Sequence, residues 1–253
     1  MEAIGVIPAR FSSTRFPGKV LADILGRPMI QWVWEAAKSA FSLDELVVAT
    51  DDERVAKVVE GFGGKVNLTS PQHRTGTDRI CEVVNPLDVK VVVNIQGDEP
   101  MLEPLMIDEL ARTLLENPEI QMATLSYPIK SRHDLKDPNV VKVVTDKDDF
   151  ALYFSRSLIP YLMPDKGLAR NKGPIFFKHI GMYAYTKDFL FTFANLSHSA
   201  LEEAEGLEQL RALEHGHRIK VLETKFDSIG VDTPGDLERV KRLLAESHRQ
   251  WEL

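Results

Sequence analysis

Residues 1–19 read MEAIGVIPARFSSTRFPGK and join a short apolar run to a loop that carries three cations. The apolar run at 3–7 predicts a buried strand. The loop carries Arg10, Arg15 and Lys19, and small residues stand beside them: Ser12, Ser13 and Gly18. Like charges repel, so this cluster in an acidic chain indicates a bound polyanion, and backbone amides of small residues add donors for phosphate. The alternative is a surface turn that is basic by chance.

The composition sets broad limits on the class of protein. With 253 residues, 43% of them apolar, the chain can bury a substantial core in one large domain or two small ones. The net charge of −7 argues against general nucleic-acid binding, and no stretch has the length of a membrane span. The single cysteine, Cys81, cannot form an intramolecular disulfide, and the N-terminus shows no signal-peptide pattern. We therefore expect a cytoplasmic protein without membrane insertion.

Apolar and amphipathic segments alternate over the first half of the chain. Strands are predicted at 3–7, 45–50, 89–95 and 121–127, and helices at 28–40, 53–62, 78–84 and 104–116. Apolar strands separated by helices favour an α/β fold with a mostly parallel, Rossmann-like sheet that is covered on both faces.

The pattern changes after residue 128. Strand-like segments follow one another without long helices over 128–185, and 160–174 is predicted to be a loop rich in proline, glycine and charge. This region is either an antiparallel extension of the sheet or a small lobe. We predict one domain over 1–253, with 128–185 as a β-rich inserted lobe. Three further elements are predicted: a helix at 201–215, a strand at 219–224 and a helix at 234–248.

The motif QGDEP, residues 96–100, follows the most apolar predicted strand of the chain. Ligands of open parallel sheets bind beyond the carboxyl ends of the strands, where the basic loop also begins. An anionic ligand would repel Asp98 unless a divalent metal lay between them, and Mg²⁺ prefers one or two carboxylates together with phosphate and water. The alternative is a plain turn in which Asp98 accepts a hydrogen bond from its own backbone.

A second carboxylate precedes the last predicted helix, in the sequence VDTPGD. Helix capping explains most of this motif, with Thr233 as N-cap, Pro234 as the first helical residue and Asp236 as the capping-box partner. Asp232 is not needed for that cap. It is therefore the candidate for a second magnesium ligand.

Other polar residues fall at positions that could line a pocket. The sequence HRTGTDR at 73–79 begins a predicted helix and could bind an anion or a base edge, or could simply cap the helix. In KHIGMY, the alternation of a strand places His179, Gly181 and Tyr183 on one face, which either lines a pocket or faces solvent. The remaining polar candidates are Arg156, Glu208 and Gln209.

Several common catalytic signatures are missing from the sequence. There is no GxxxxGK[ST], no GxGxxG after the first strand, no GxSxG and no Cys/His spacing typical of zinc sites. These absences disfavour P-loop NTPases, dinucleotide oxidoreductases, α/β-hydrolases and zinc proteins.

In combination, the motifs resemble those of the CMP-Kdo synthetase family, the 3-deoxy-D-manno-octulosonate (Kdo) cytidylyltransferases. The resemblance rests on IPARFSSTRFPGK, HRTGTDR, NIQGDEP, ALYFSR, KHIGMYAY, LEQLR and GVDTPGDLERV, which extend from residue 3 to about residue 243. The first motif alone would indicate only the broader nucleotide-diphospho-sugar transferase fold. One departure is Gly235, where the family usually carries an acidic residue.

The resemblance implies an enzyme that transfers CMP from CTP to the anomeric hydroxyl of Kdo and releases pyrophosphate. It also implies Mg²⁺ as cofactor, a role in lipopolysaccharide biosynthesis, and a cytoplasmic homodimer with 128–185 involved in sugar binding and dimerisation. The implied magnesium ligands are Asp98 and Asp232. The implied nucleotide-binding residues are Arg10, Ser12, Ser13, Arg15, Lys19, Arg74 and Asp78, of which Arg10, Arg15 and Lys19 are the catalytic ones. The implied Kdo-binding residues are Gln96, Arg156, His179, Tyr183, Glu208 and Gln209.

Such a reaction needs alignment and charge neutralisation more than covalent work by the protein. No residue stands out as a general base, so metal coordination is expected to replace one, and Arg156 is the expected partner of the sugar carboxylate. Two alternatives stay open. One is a nucleotidyltransferase that acts on a sugar phosphate or on another acid sugar such as sialic acid. The other is a nucleotide-sensing module without turnover.

Overall fold

The computed structural model describes residues 1–12, 16–163 and 175–251. The predicted site residues Ser13 and Arg15, and most of the predicted loop at 160–174, lie outside the described residues.

The described chain alternates strands and helices as its first half predicted. The strands are β1 Ala3–Pro8, β2 Asp23–Ile24, β3 Arg27–Pro28, β4 Glu45–Thr50, β5 Val66–Leu68, β6 Val91–Asn94, β7 Met122–Pro128, β8 Lys142–Thr145, β9 Ala151–Ser155, β10 Phe177–Thr186 and β11 Lys220–Glu223. The α-helices are α1 Met29–Lys38, α2 Glu53–Gly61, α3 Gly76–Val84, α4 Pro104–Glu116, α5 Arg132–Lys136, α6 Lys187–Asn195, α7 Ala200–Glu205, α8 Gln209–Glu214 and α9 Pro234–Trp251. A short 3₁₀ helix covers Lys19–Leu21.

Within the described chain, nine strands form one sheet, and seven of them lie in the order β11-β7-β10-β6-β1-β4-β5. β1 is parallel to both β4 and β6, and β7 is parallel to β11. β10 lies antiparallel between β6 and β7 and is the strand in this order that opposes its neighbours. The prediction of a mostly parallel, Rossmann-like α/β sheet is confirmed.

The segment 128–185 divides into two parts in the structure. β8 and β9 pair with each other and extend the sheet from the beginning of β10. The second half of β10 lies inside the central sheet, because Ala184 and Tyr185 bury opposite faces of the strand in two separate cores. The second half of β10 therefore belongs to the central sheet, and the extent of the inserted lobe stays a prediction. Its roles in sugar binding and dimerisation stay predictions.

Two layers of helices cover the sheet, as the alternation of a buried strand requires. Along β1, Ala3 and Ile7 face a core that includes buried residues of α1, α2 and α4. Ile4 and Val6 face the opposite core, with residues of α3, α6 and α8. Among the helices of the described chain, none has the length and apolar content needed to cross a bilayer.

Two local predictions are wrong. The helix predicted over 201–215 is broken into α7 and α8, because Gly206 adopts a left-handed conformation (φ 61°) that ends α7. Pro28 caps α1 with an extended backbone instead of lying in its first turn. Among the predicted site residues, these differences affect only Glu208, which was predicted inside a helix and instead lies immediately before α8.

A third, smaller core packs the C-terminal helix α9 against β2 and α1. Ile24 of β2 and Met29 of α1 pack there with Val231, Leu237 and Val240. Since Val231 precedes Asp232, this apolar contact brings a residue late in the chain to the loop that follows β1.

Candidate active site

A cavity of about 350 Å³ opens beyond the carboxyl ends of β1 and β6. Its lining includes many of the residues singled out from sequence: Arg10, Ser12, Lys19, Gln96, Asp98 and Asp232. Pro8, Val20, Gly76 and Gly97 also line it. The parallel sheet thus collects at one edge residues that are widely separated in the chain, as expected for this fold class.

Lys19 lies between the two predicted metal ligands. Its Nζ donates to Asp98 Oδ2 at 2.5 Å and to Asp232 Oδ1 at 3.0 Å. The third donor position points to the backbone oxygen of Val231 at 3.2 Å. Lys19, at the end of the basic loop, thus meets both carboxylates at one place, and the roles of the three residues stay predictions.

The charge of Lys19 is stabilised by these partners. Burial alone would lower the pKa of Lys19, but the hydrogen bonds and charges of Asp98 and Asp232 outweigh it and hold the pKa above its ordinary value. The ammonium therefore stays protonated at neutral pH. It can neutralise phosphate oxygens that enter the cavity.

Gly97 allows the strand ends to approach each other closely. A Cβ atom at residue 97 would lie 2.9 Å from the backbone oxygen of Pro8. With glycine there, the turn after β6 packs directly on the end of β1 and presents Asp98 to Lys19. The plain-turn alternative for Asp98 does not describe this geometry, because its carboxylate binds the Lys19 ammonium.

The motif before α9 divides its two carboxylates between two tasks. Asp236 accepts from the backbone nitrogen of Thr233 at 2.8 Å, and its own nitrogen donates to Thr233 Oγ1 at 3.2 Å, which forms the predicted capping box. The Asp232 carboxylate accepts from Lys19 Nζ at 3.0 Å, and the Asp232 backbone nitrogen donates to Asp236 Oδ2 at 3.2 Å. Gly235 at this helix start has ordinary space around its Cβ position.

Arg10 enters the cavity with an unsatisfied donor. Within the described residues, its Nη2 atom is buried without a hydrogen-bond partner. Burial lowers the pKa of Arg10 and the charge of Arg79 lowers it further, whereas Asp51, Asp78 and Glu208 raise it. A buried guanidinium donor that lacks a partner is costly, and an anionic ligand would relieve that cost.

Two carboxylates that line one cavity, Asp98 and Asp232, are a suitable protein contribution to a magnesium site. In the described part of the chain, no group of three or more His, Cys, Asp or Glu side chains is arranged to hold a metal ion. Asp98 and Asp232 would therefore supply two oxygens, and phosphate and water the rest, which is the coordination that Mg²⁺ prefers. The residues fit the ion.

Comparison with known proteins identifies the family. The cytidylyltransferase family model matches residues 4–219. A 3-deoxy-manno-octulosonate cytidylyltransferase of Geobacter sulfurreducens is 53% identical, with 95% of this chain and 98% of that protein covered. The corresponding protein of Geobacter metallireducens is 51% identical, with 97% and 98% covered. The chain belongs to the 3-deoxy-manno-octulosonate cytidylyltransferase family.

Solved structures agree with this assignment. A CMP:2-keto-3-deoxy-manno-octonic acid synthetase complexed with CTP has a TM-score of 0.90 and 42% identity, covering 98% of this chain and 100% of that one. A cytidylyltransferase of Leptospira borgpetersenii has a TM-score of 0.62 at 15% identity, with 95% and 85% covered, and shows the fold alone. The resemblance of the sequence motifs to this family is thereby confirmed.

In this cytidylyltransferase, three of the residues predicted to surround the sugar, His179, Tyr183 and Gln96, lie on or beside β10. Burial lowers the pKa of His179 to about 3, so its ring is neutral, and Nε2 lies 2.9 Å from the Thr124 hydroxyl. The ring of Tyr183 lies 5.3 Å from that of His179, on the same face as predicted. Gln96 Nε2 donates to the backbone oxygen of Gly181 at 2.9 Å, which links the QGDEP turn to β10.

A second cavity, of about 460 Å³, continues the site along β10. Its lining includes His179, Gly181 and Glu99. Asp232, whose carboxylate binds Lys19, lines both this cavity and the first one. Among the described residues, His179 is the predicted Kdo-binding residue that lines the second cavity.

The N-terminus of α3 and the residues before α8 meet through one carboxylate. Glu208 accepts from the Thr77 hydroxyl at 2.9 Å and from Arg211 Nη2 at 2.8 Å. Burial raises the pKa of Glu208, against the effect of these two donors. The Nε2 of Gln209 is buried and, among the described residues, has no hydrogen-bond partner, so a ligand oxygen would satisfy it.

Asp78 is engaged by its own helix. It forms a capping box with Thr75, with hydrogen bonds of 3.0 and 3.1 Å, so the capping interpretation of this motif is confirmed. Arg74 is exposed on the preceding loop and is not among the described residues that line the cavity. Nucleotide binding by these two residues stays a prediction.

The guanidinium of Arg156 is held by backbone oxygens. Nε donates to Glu205 at 2.6 Å and Nη1 to Pro138 at 3.0 Å. The arginine therefore ties β9 to the turn after α7, and its predicted contact with the sugar carboxylate would use the remaining donors. That contact stays a prediction.

Sequence reasoning missed the residues that hold the QGDEP turn. Glu99 accepts from the Ser228 hydroxyl at 2.6 Å, and burial raises the pKa of Glu99 to about 7. The position of Glu99 beside Asp98 is a signal that could have drawn attention to it. No sequence feature marks Ser228, because it lies 129 residues away.

Proposed function

We propose that this protein transfers CMP from CTP to the anomeric hydroxyl of 3-deoxy-manno-octulosonate, giving CMP-Kdo and pyrophosphate. The observation that carries the proposal is Lys19 held between Asp98 and Asp232 in a cavity that Arg10 also lines. The names of relatives that are about half identical over nearly their whole length support the sugar and the nucleotide.

The protein's own side chains would bind and align the triphosphate. Arg10 and Lys19 face the cavity, so both can pair with phosphate oxygens and balance the negative charge that pyrophosphate carries away. The Lys19 ammonium would exchange a carboxylate partner for a phosphate oxygen as CTP enters. The sugar hydroxyl then loses its proton to solvent and forms a bond to the α-phosphorus while the bond to pyrophosphate breaks.

The two aspartates would hold magnesium in this reaction. A bound Mg²⁺ ion supplies charge neutralisation on the phosphates and acidifies a coordinated hydroxyl. Asp98 and Asp232 are suitable ligands because both are partly exposed to the cavity, at 26% and 46% of their side chains. His179 is a neutral ring near this place and can orient the sugar by hydrogen bonding, without adding charge.

A homodimer and a cytoplasmic location complete the proposal, with the product used for lipopolysaccharide biosynthesis. Large apolar side chains are exposed on and after β9: Leu152, Leu158, Tyr161 and Met163. Exposed apolar clusters favour contact with another protein surface. The single cysteine, Cys81, is free, which suits a reducing compartment. Light scattering on the purified protein tests the dimer, and a monomer at micromolar concentration would contradict it.

The test of the reaction is pyrophosphate release with CTP, Kdo and Mg²⁺, each omitted in turn. Release should require all three, and mass spectrometry should identify CMP-Kdo. A parallel panel of sugar phosphates and sialic acid, with CTP or UTP, tests the acceptor and the nucleotide. A preference for a sugar phosphate would contradict Kdo as the substrate and leave the fold assignment intact.

A further inference from the structure

Asp232 lies in a segment that has no regular secondary structure. Residues 224–233 follow β11 and precede α9, and they form neither helix nor strand. No ladder of backbone hydrogen bonds therefore sets the position of the Asp232 carboxylate. Individual hydrogen bonds, from both backbone and side chains, and the apolar contact of Val231 must do so.

One of these hydrogen bonds joins the neighbours of the two predicted magnesium ligands. The Ser228 hydroxyl donates to Glu99 Oε2 at 2.6 Å, and Ser228 itself is only 8% exposed. Glu99 is the residue after Asp98, and Ser228 lies four residues before Asp232. This hydrogen bond thus connects the segment that carries Asp98 to the segment that carries Asp232.

The same segment is held at two further points. Lys178 of β10 donates to the backbone oxygen of Ser228 at 2.9 Å and forms an ion pair with Asp227. At the other end, the backbone nitrogen of Val231 donates to the backbone oxygen of Asp98 at 2.9 Å. The segment therefore has polar anchors on both sides, and the Glu99–Ser228 bond is the anchor that reaches the QGDEP turn through side chains.

We propose that Glu99 and Ser228 are positioning residues that hold Asp98 and Asp232 at the separation required for one shared magnesium ion. The inference rests on the proposed function only in taking the two aspartates as the ligands. Magnesium tolerates little deviation from octahedral geometry, so a small shift of either carboxylate weakens binding. Ligand residues are commonly oriented by such outer hydrogen bonds, whose loss costs about 10- to 100-fold in metal affinity.

The experiment measures CTP binding by calorimetry, with magnesium and separately with EDTA, in the absence of Kdo. The quantity of interest is the metal-dependent gain, which is the ratio of the two dissociation constants. For Ser228→Ala we expect this gain to fall about tenfold. The affinity in EDTA should stay within about twofold of wild type, because the cations of the cavity are untouched.

Two further variants separate positioning from general destabilisation. Ser42→Ala removes a comparable hydroxyl that donates to the buried Asp108 carboxylate away from the cavity, and its gain should equal that of wild type. Glu99→Gln keeps an oxygen that can accept from Ser228, so its gain should stay within about threefold of wild type.

The proposal is overturned if Ser228→Ala keeps the wild-type gain, or if wild type shows no gain at all. It is equally overturned if Ser42→Ala loses as much. If Ser228→Ala does not fold, Lys178→Met tests the same segment, and an unchanged gain in that variant also overturns the proposal. Because no Kdo is used, failure of the transferase reaction is read separately, in the pyrophosphate assay of the wild type.

Discussion

Replacing Asp98 by asparagine separates catalysis from folding at the centre of the cavity. The variant keeps the shape of the side chain and one oxygen that can accept from Lys19, but it removes the negative charge. In the native site, Lys19 Nζ lies 2.5 Å from Asp98 Oδ2 and 3.0 Å from Asp232 Oδ1. The remaining carboxylate, Asp232, therefore keeps the ammonium paired.

The expected effects on stability and on rate differ widely in size. The ion pair is partly solvated, with side-chain exposures of 14% for Lys19 and 26% for Asp98, so losing the charge costs about 1 kcal/mol at most. For a domain of this size, that lowers Tm by about 2–4 °C. Loss of charge stabilisation in the transition state should lower kcat by about a thousandfold, or about 4 kcal/mol.

The assay follows pyrophosphate release with saturating CTP, Kdo and Mg²⁺, alongside thermal melts monitored by circular dichroism. Asp52→Asn is the matched control, because Asp52 is also a partly buried aspartate paired with a cation, Arg54, at the start of α2. This control should keep wild-type turnover. The reasoning is refuted if Asp98→Asn turns over within tenfold of wild type while it remains folded.

Three further predictions concern packing, pH and thiol reactivity. Gly97→Ala should lower the free energy of unfolding in urea by about 2 kcal/mol, because its Cβ would lie 2.9 Å from the Pro8 backbone oxygen. Burial lowers the pKa of His179 from 6.5 to about 3. Between these two pH values the ring is protonated in the unfolded chain but not in the folded one, so the free energy of unfolding decreases as the pH is lowered. From pH 7 to pH 5 this residue should cost about 2 kcal/mol, measured as a drop in thermal stability that is smaller in His179→Asn. Burial raises the pKa of Cys81 to about 12, so its reaction with a disulfide reagent at pH 8 should be slow in the native protein and fast in urea.

Each of these has a control and a contradicting result. Gly61→Ala has nothing within 4 Å of its new Cβ and should not destabilise, so equal losses at Gly61 and Gly97 would contradict the packing argument. Parallel pH dependence in wild type and His179→Asn would show that another group titrates. Rapid labelling of native Cys81 would show that the thiol is accessible, against its partial burial on α3.

Much of the fold could be predicted because its signals are local. The apolar runs that became β1, β4, β6 and β7 are short and contiguous, and amphipathic segments between them favour a parallel sheet. The broken helix at 201–215 was not predicted, since a glycine in a helical pattern marks a break only when its backbone turns left-handed. β10 could not be placed either, because nothing local distinguishes a central antiparallel strand from part of a lobe.

For the candidate site, the sequence likewise predicts which residues are functional, but not which residues they contact. The motifs named Lys19, Asp98 and Asp232 because concentrated cations and isolated carboxylates at strand ends are costly without a ligand. They also predicted that Thr233 and Asp236 would cap α9, so that the cap does not require the Asp232 carboxylate. These conclusions need only neighbours in the chain and the rule that parallel strands end at one edge.

The sequence by itself determined the fold class, the family and the side chains that carry charge into the cavity. The tertiary structure decided the hydrogen-bond partners of these side chains: Lys19 binds two aspartates, Arg156 binds backbone oxygens, and Glu99 binds Ser228. Such partners are separated by up to 213 residues. Hydrogen bonds act over about 3 Å, and only packing of the whole chain brings distant residues within that range.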